Sequence, residues 1–100
     1  MHFIDVKDLE EKNFNTGNYV LRKSFVEFHT EIAPDPRYFT AFRLAEDGHR
    51  TSKFILVNTQ EMLHKCILKK MSKGESEFFL LPIAEVYNKC KFRIIEEEAF

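Results

Sequence analysis

The chain has 100 residues, with 15 basic and 16 acidic side chains that give a formal net charge of −1. Its length is typical of one domain, and 44% hydrophobic with 31% charged residues is typical of a globular fold rather than a disordered chain. The balanced charge excludes a strong global attraction to nucleic acid. We therefore expect residues 1–100 to form a single globular domain.

The cysteines and the N-terminal residues indicate the compartment. Cys66 and Cys90 have no CxxC partner, which is typical of reduced thiols in a cytoplasmic protein. The first residues lack the basic and apolar regions of a secretory signal. The longest apolar run, at 78–81, is far shorter than the ~20 residues of a membrane helix. These features predict a cytoplasmic protein without membrane segments.

The predicted elements follow one another without a linker or an internal repeat. In chain order they are a strand at 3–6, a helical turn at 8–12, a loop at 13–18, a strand at 19–32, strands at 37–45 and 53–57, a helix at 59–73, a strand at 77–81, a helix at 82–89 and a strand at 91–95. This order predicts an α+β fold with a mainly antiparallel sheet of about five strands. The main helix packs on one face of that sheet, and the second helix is short.

The segment 19–32 fits two structures. Its apolar side chains recur at helical spacing, which favours an amphipathic helix. Its composition is rich in Tyr, Val, Phe, Thr and Ile, which favour strands. We favour a long strand that ends before the two prolines at 34 and 36, because proline cannot donate to a strand ladder.

Local signals mark a hairpin and the main helix. Asp47-Gly48 is a strong hairpin-turn pair. Asn58 predicts a helix N-cap, with Glu61 three residues later, and Gly74 predicts the C-terminal cap. Strand alternation and the helix stripe together predict a set of buried residues: Phe42, Leu44, Phe54, Leu56, Leu63, Ile67 and Leu80.

Three ionisable residues form a candidate site on the favoured strand. Glu27, His29 and Glu31 are spaced two apart, so on a strand they share one face within ~7 Å of each other. Such a face suits a divalent cation or acid–base chemistry. The same pattern is also typical of an ordinary solvated strand face, which we favour, and we predict no metal site and no cofactor.

Two further groups of residues are candidates for contact with a partner. With 11 Phe and 3 Tyr, the aromatic content exceeds what one small core needs, which leaves aromatic side chains for a contact surface. The aromatic candidates are Phe14, Tyr19, Tyr38 and Phe100. A second group lies on the outer face of the predicted main helix, where it suits phosphates or an acidic partner. Its members are Lys65, Lys69, Lys70 and Lys73.

The element order between residues 19 and 82 resembles that of metal-dependent nucleases of the restriction-endonuclease type. In that family a strand carries an acidic residue, one further residue and then a lysine. Here Glu27-Phe28-His29 stands at the comparable place, with histidine where the lysine belongs. The resemblance implies a nuclease-like protein, active or degenerate, that uses Glu27, His29 and Glu31.

The absence of a specific catalytic motif favours a non-enzymatic protein that binds a macromolecular partner, most simply another protein. Small intracellular regulators, immunity-type inhibitors and phage-encoded antagonists share this size and composition. The nuclease-like protein is one alternative. A nucleic-acid-binding accessory that acts through the face from Lys65 to Lys73 is the other. The sequence leaves the oligomeric state open.

Overall fold

The computed structural model describes residues 2–7 and 17–99. The helical turn predicted at 8–12, and all but the end of the loop predicted at 13–18, lie outside the described residues. The elements are β1 (Phe3–Lys7), β2 (Asn18–Arg22), α1 (Lys23–Glu27), a π-helical turn (Phe28–Ile32), β3 (Tyr38–Glu46), β4 (His49–Asn58), α2 (Thr59–Lys65), β5 (Lys69–Lys73), β6 (Ser76–Pro82), α3 (Ile83–Lys89), β7 (Phe92–Glu96) and a 3₁₀ turn (Glu97–Ala99). No helix within these ranges has the length and apolar character needed to cross a membrane.

The strands form two sheets. The larger sheet has the order β1-β3-β4-β7 and the smaller has the order β2-β6-β5. Neighbouring strands are antiparallel, except that β1 pairs with β3 in parallel. The α+β class is confirmed, with seven strands within the described residues in two sheets instead of about five in one.

The hairpin between β3 and β4 forms where the sequence predicts it. Glu46 pairs with His49, which leaves Asp47 and Gly48 as a two-residue turn. Both turn residues have positive φ, 52° at Asp47 and 76° at Gly48, as a type I′ turn requires. This turn twists in the same sense as the flanking strands, so it fixes their register.

The long strand predicted at 19–32 is wrong beyond Arg22. The first five residues do form β2, in which Tyr19 and Leu21 alternate into the core and the strand pairs with β6. The chain then turns into α1 and the π-helical turn, whose wider spacing appears in the bond from the Ala33 N–H to the Phe28 carbonyl at 2.8 Å. The segment therefore has strand alternation up to Arg22 and helical spacing after it. The strand-forming composition of residues 23–32 is overridden by their packing.

The main helix predicted at 59–73 is also shorter than expected. Asn58 caps it as predicted, because its side-chain oxygen accepts the Glu61 N–H at 3.1 Å. The helix ends at Lys65, and residues 69–73 instead form β5, which pairs with β6. Gly74, with φ of 62°, serves the tight turn between these two strands rather than a helix cap. A backbone ladder to β6 has replaced two turns of helix.

The core lies where the two sheets and the helices meet. Tyr19 of β2 packs edge-on against Phe42 of β3, with ring centroids 4.7 Å apart. Its hydroxyl donates to the Arg43 carbonyl, which joins the two sheets. Buried Thr40 and Thr59 exchange a hydroxyl hydrogen bond of 2.8 Å that ties the start of α2 to β3. The buried core cluster comprises Tyr19, Leu21, Phe42, Ile55, Val57, Met62, Cys66, Leu81 and Val86.

The predicted core residues have mixed outcomes. Phe42 and Phe54 are fully buried. Half-buried positions are occupied by Leu44, Leu56, Leu63 and Leu80. Ile67 was predicted to be buried but is 69% exposed. The helix ends at Lys65, so the side chain of Ile67 does not continue the apolar face of α2.

Two alanine substitutions, one within α2 and one just beyond it, test this correction. Met62→Ala should lower the free energy of unfolding by about 2–5 kcal/mol, because it removes a side chain that is 0% exposed. Ile67→Ala should cost less than about 0.5 kcal/mol, because its side chain is already in water. Urea unfolding of both variants measures the difference. An equal loss in the two would contradict the end of the helix at Lys65.

Candidate functional site

The acidic residues and histidine of the predicted strand face do not share a face of a strand. Glu27 ends α1, where its carboxylate lies 3.7 Å from the Lys23 ammonium. His29 and Glu31 belong to the π-helical turn, with His29 buried and Glu31 exposed. The nuclease-like arrangement, which needs this segment on a strand, is therefore not formed. Within residues 2–7 and 17–99, no three His, Cys, Asp or Glu side chains are placed to hold a metal ion.

His29 instead sits in a cage of aromatic rings. Its ring centroid lies 4.6 Å from that of Phe25, 5.0 Å from that of Phe28 and 4.8 Å from that of Tyr38. Only 6% of the residue is exposed. Burial lowers the pKa of His29, and the nearby Asp5 carboxylate offsets part of that shift. Burial therefore favours the neutral imidazole.

The caged histidine forms one wall of a cleft between the π-helical turn and α2. The cleft has a volume of about 340 Å³. It is lined by His29, Thr30, Pro34, Gln60, Leu63 and His64. Thr30 already donates its hydroxyl to the Val26 carbonyl at 2.7 Å, which leaves the two imidazoles and the Gln60 amide as the polar groups of this cleft. Pro34 and Leu63 supply the apolar part of its lining.

The candidate lysines do not share one helix face. Lys65 ends α2, and its ammonium pairs with Glu61 at 2.8 Å. Lys69, Lys70 and Lys73 lie on β5, which is an edge strand of the smaller sheet. Lysines on an edge strand oppose edge-to-edge pairing with other chains, which is a sufficient reason for their presence there.

The aromatic candidates also separate. Phe14 and Phe100 lie outside the described residues. Tyr19, expected at a contact surface, is a core residue because β2 turns it towards Phe42. Tyr38 is half-buried, between Phe3, whose ring centroid is 4.9 Å away, and the ring of His29. These residues therefore do not form the expected contact surface within the described part of the chain.

A larger apolar groove lies on the outer face of the four-stranded sheet, opposite the core. Its volume is about 420 Å³. It is lined by His2, Ile4, Phe39, Leu56, Asn58, Glu61, Lys91, Phe92 and Arg93. We call this the outer groove. It crosses all four strands, because Ile4 pairs with Phe39 and Leu56 pairs with Arg93.

Charged side chains give the outer groove a polarity. Lys91 and Arg93 are exposed at its β7 end, and no ion pair among the described residues involves either of them. The Glu61 carboxylate at the same end is bonded to the Lys65 ammonium at 2.8 Å and also accepts the backbone N–H of Lys91; the hydrogen bond from Lys65 and the charge of Lys91 both lower the pKa of Glu61. The β7 end therefore presents two cations to a ligand, while the floor towards β1 is apolar.

Sequence reasoning missed the outer groove, although one signal pointed to it. The stretch from Phe54 to Val57 is apolar on both faces, which predicts cover on both sides of β4. Its inward residues, Ile55 and Val57, are covered by the core. On the outer face the Arg43 guanidinium covers Phe54, 4.5 Å from its ring centroid, and Leu56 lines the groove.

Comparisons of the chain with protein-family models, curated proteins and solved structures found no match. The residues themselves therefore carry the functional argument. The cleft at His29 has polar and apolar walls in about equal measure, whereas the outer groove combines an apolar floor with a charged end. The latter combination is typical of surfaces that bind peptide segments.

The caged histidine makes stability depend on pH. Its folded-state pKa lies below the 6.5 of the free side chain, so the unfolded chain takes up the proton first. This contribution to stability is fully present above pH 6.5 and is lost as pH falls towards the lower folded value. His29→Gln should therefore flatten the loss of stability between about pH 7 and pH 5. An NMR titration that places the His29 pKa at or above 6.5 would contradict the cage.

Proposed function

We propose that this protein binds a short extended segment of a partner protein in the outer groove and has no catalytic activity of its own. The observation that carries the proposal is the apolar floor that crosses β1, β3 and β4 and ends at the charged side chains beside β7. Ile4 on β1 remains 48% exposed although it neighbours Phe39 and the rest of that floor. Apolar side chains of a partner would remove this surface from water, at about 25 cal/mol per Å².

The width of the sheet sets the size of the bound segment. Neighbouring strands lie about 4.8 Å apart, so the path from β1 to β7 is roughly 14 Å. An extended chain rises about 3.3 Å per residue, so roughly four or five residues fill the groove. Alternate side chains of such a segment point the same way, so two apolar residues spaced by two would reach the floor.

The charges at the β7 end select among such segments. Lys91 and Arg93 favour a carboxylate on the partner, and Glu61 does not oppose it strongly because Lys65 already neutralises it. The expected ligand therefore carries two apolar residues and, at one end of them, Asp or Glu. We propose that the protein acts in the cytoplasm as a regulator or inhibitor of the protein that contains this segment.

A pair of matched substitutions tests the site. A peptide selected from a random display library on the immobilised protein serves as the ligand, and fluorescence polarisation measures its affinity. Ile4→Asp should weaken binding at least tenfold, because it places a charge on the apolar floor. Ile94→Asp is the control, because Ile94 is 47% exposed against 48% for Ile4 but does not line the groove. Equal losses in both variants, or none at Ile4, would contradict the proposal.

Charge reversal tests the polarity. The variant Lys91→Glu with Arg93→Glu should weaken an acidic peptide at least tenfold and reduce the salt dependence of its binding. Lys69→Glu with Lys73→Glu, on the edge of the smaller sheet, is the matched control and should leave the affinity unchanged. The reverse outcome would move the binding site to the β5 lysines and favour the acidic-partner or nucleic-acid alternative.

A further inference from the structure

The two cysteines lie side by side at the ends of two helices. Cys66 follows the last residue of α2, and Cys90 follows the last residue of α3. Their Sγ atoms are 3.6 Å apart although the residues are 24 positions apart in the chain. Both thiols are unlinked in the structure. The fold therefore brings together two groups that the sequence separates.

A second contact holds the same two helix ends together. The Glu85 carboxylate of α3 accepts the Ile67 N–H at 2.6 Å, immediately after Cys66. The same carboxylate is bonded to Lys89 at 2.8 Å, one residue before Cys90. The bond between Glu85 and the Ile67 N–H thus ties the end of α2 to α3 beside the thiols, whereas the bond between Glu85 and Lys89 lies within α3.

We propose that Cys66 and Cys90 are a modification site, a dithiol that a low-molecular-weight disulfide such as oxidised glutathione converts into an intramolecular disulfide. The sulfurs need to approach by roughly 1.5 Å to reach the length of an S–S bond. In the net reaction the two thiols lose two protons and two electrons, and the small disulfide is reduced to two thiols. The inference is independent of the proposed peptide binding.

The order of the two steps follows from exposure. Cys90, which is half-buried, attacks one sulfur of the small disulfide and releases its first thiolate. The Cys66 thiolate then attacks the Cys90 sulfur of this mixed disulfide, which forms the internal bond and releases the second thiolate. The internal step is favoured because its two sulfurs are already neighbours.

The surroundings of the two thiols set the rate of their oxidation. Burial raises the pKa of Cys66 to about 12 and also raises the pKa of Cys90. The charged groups around the pair are Glu61 and Lys65 of α2 and Glu85 and Lys89 of α3. Because the attacking species is the thiolate, oxidation should be slow near neutral pH and accelerate roughly tenfold per pH unit.

The test is incubation of the folded protein with oxidised glutathione, followed by mass spectrometry. The expected product has lost two hydrogens, carries no glutathione, and has one disulfide-linked peptide pair after proteolysis. Its Tm should rise by roughly 10 °C, because the bond closes a long loop in the unfolded chain, and dithiothreitol should reverse the rise. The variants Cys66→Ser and Cys90→Ser should show no oxidant-dependent rise in Tm.

Three results would overturn the proposal. They are two thiols that stay free throughout the incubation, glutathione retained on either cysteine at the end point, and a disulfide between two chains instead of within one. The serine variants also test the order of attack. Cys66→Ser, which keeps the more exposed Cys90, should acquire glutathione faster than Cys90→Ser, and the opposite rates would overturn that order.

Discussion

The contact between Tyr19 and the third strand joins the two sheets, and the rest of the architecture depends on it. The ring packs against Phe42, and the hydroxyl donates to the Arg43 carbonyl. One side chain of β2 thus makes both an apolar contact and a directional hydrogen bond to β3. The smaller sheet is thereby held over the inner face of the larger one. Met62 of α2 and Val86 of α3 complete the same cluster.

This arrangement leaves the two faces of the larger sheet unequal. Its inner face is covered by the smaller sheet and the helices, whereas the described residues leave a groove on the outer face that reaches from Ile4 to Arg93. Apolar surface in a groove is costly to leave in water and is a common feature of binding sites. The edge lysines of β5 and the caged His29 have structural reasons for their positions, so neither belongs to the proposed binding site.

A feature can be predicted from the sequence when the residues that determine it lie close together in the chain. The turn at Asp47 and the cap at Asn58 depend on a few neighbouring residues, and the sequence indicates both. The ends of β2 at Arg22 and of α2 at Lys65 depend on pairing with β6, a strand distant from Arg22, so local periodicity misses them. The outer groove depends on the parallel pairing of β1 with β3, which no local signal encodes.

The most direct measurement of the central claim is an NMR titration of the labelled protein with the selected peptide. The largest amide shift changes should fall on Phe39, Leu56 and Arg93, in neighbouring strands of one face. The changes around His29 should be small. The largest changes at His29 and His64, with the outer groove unaffected, would contradict the account and move binding to the cleft beside α2.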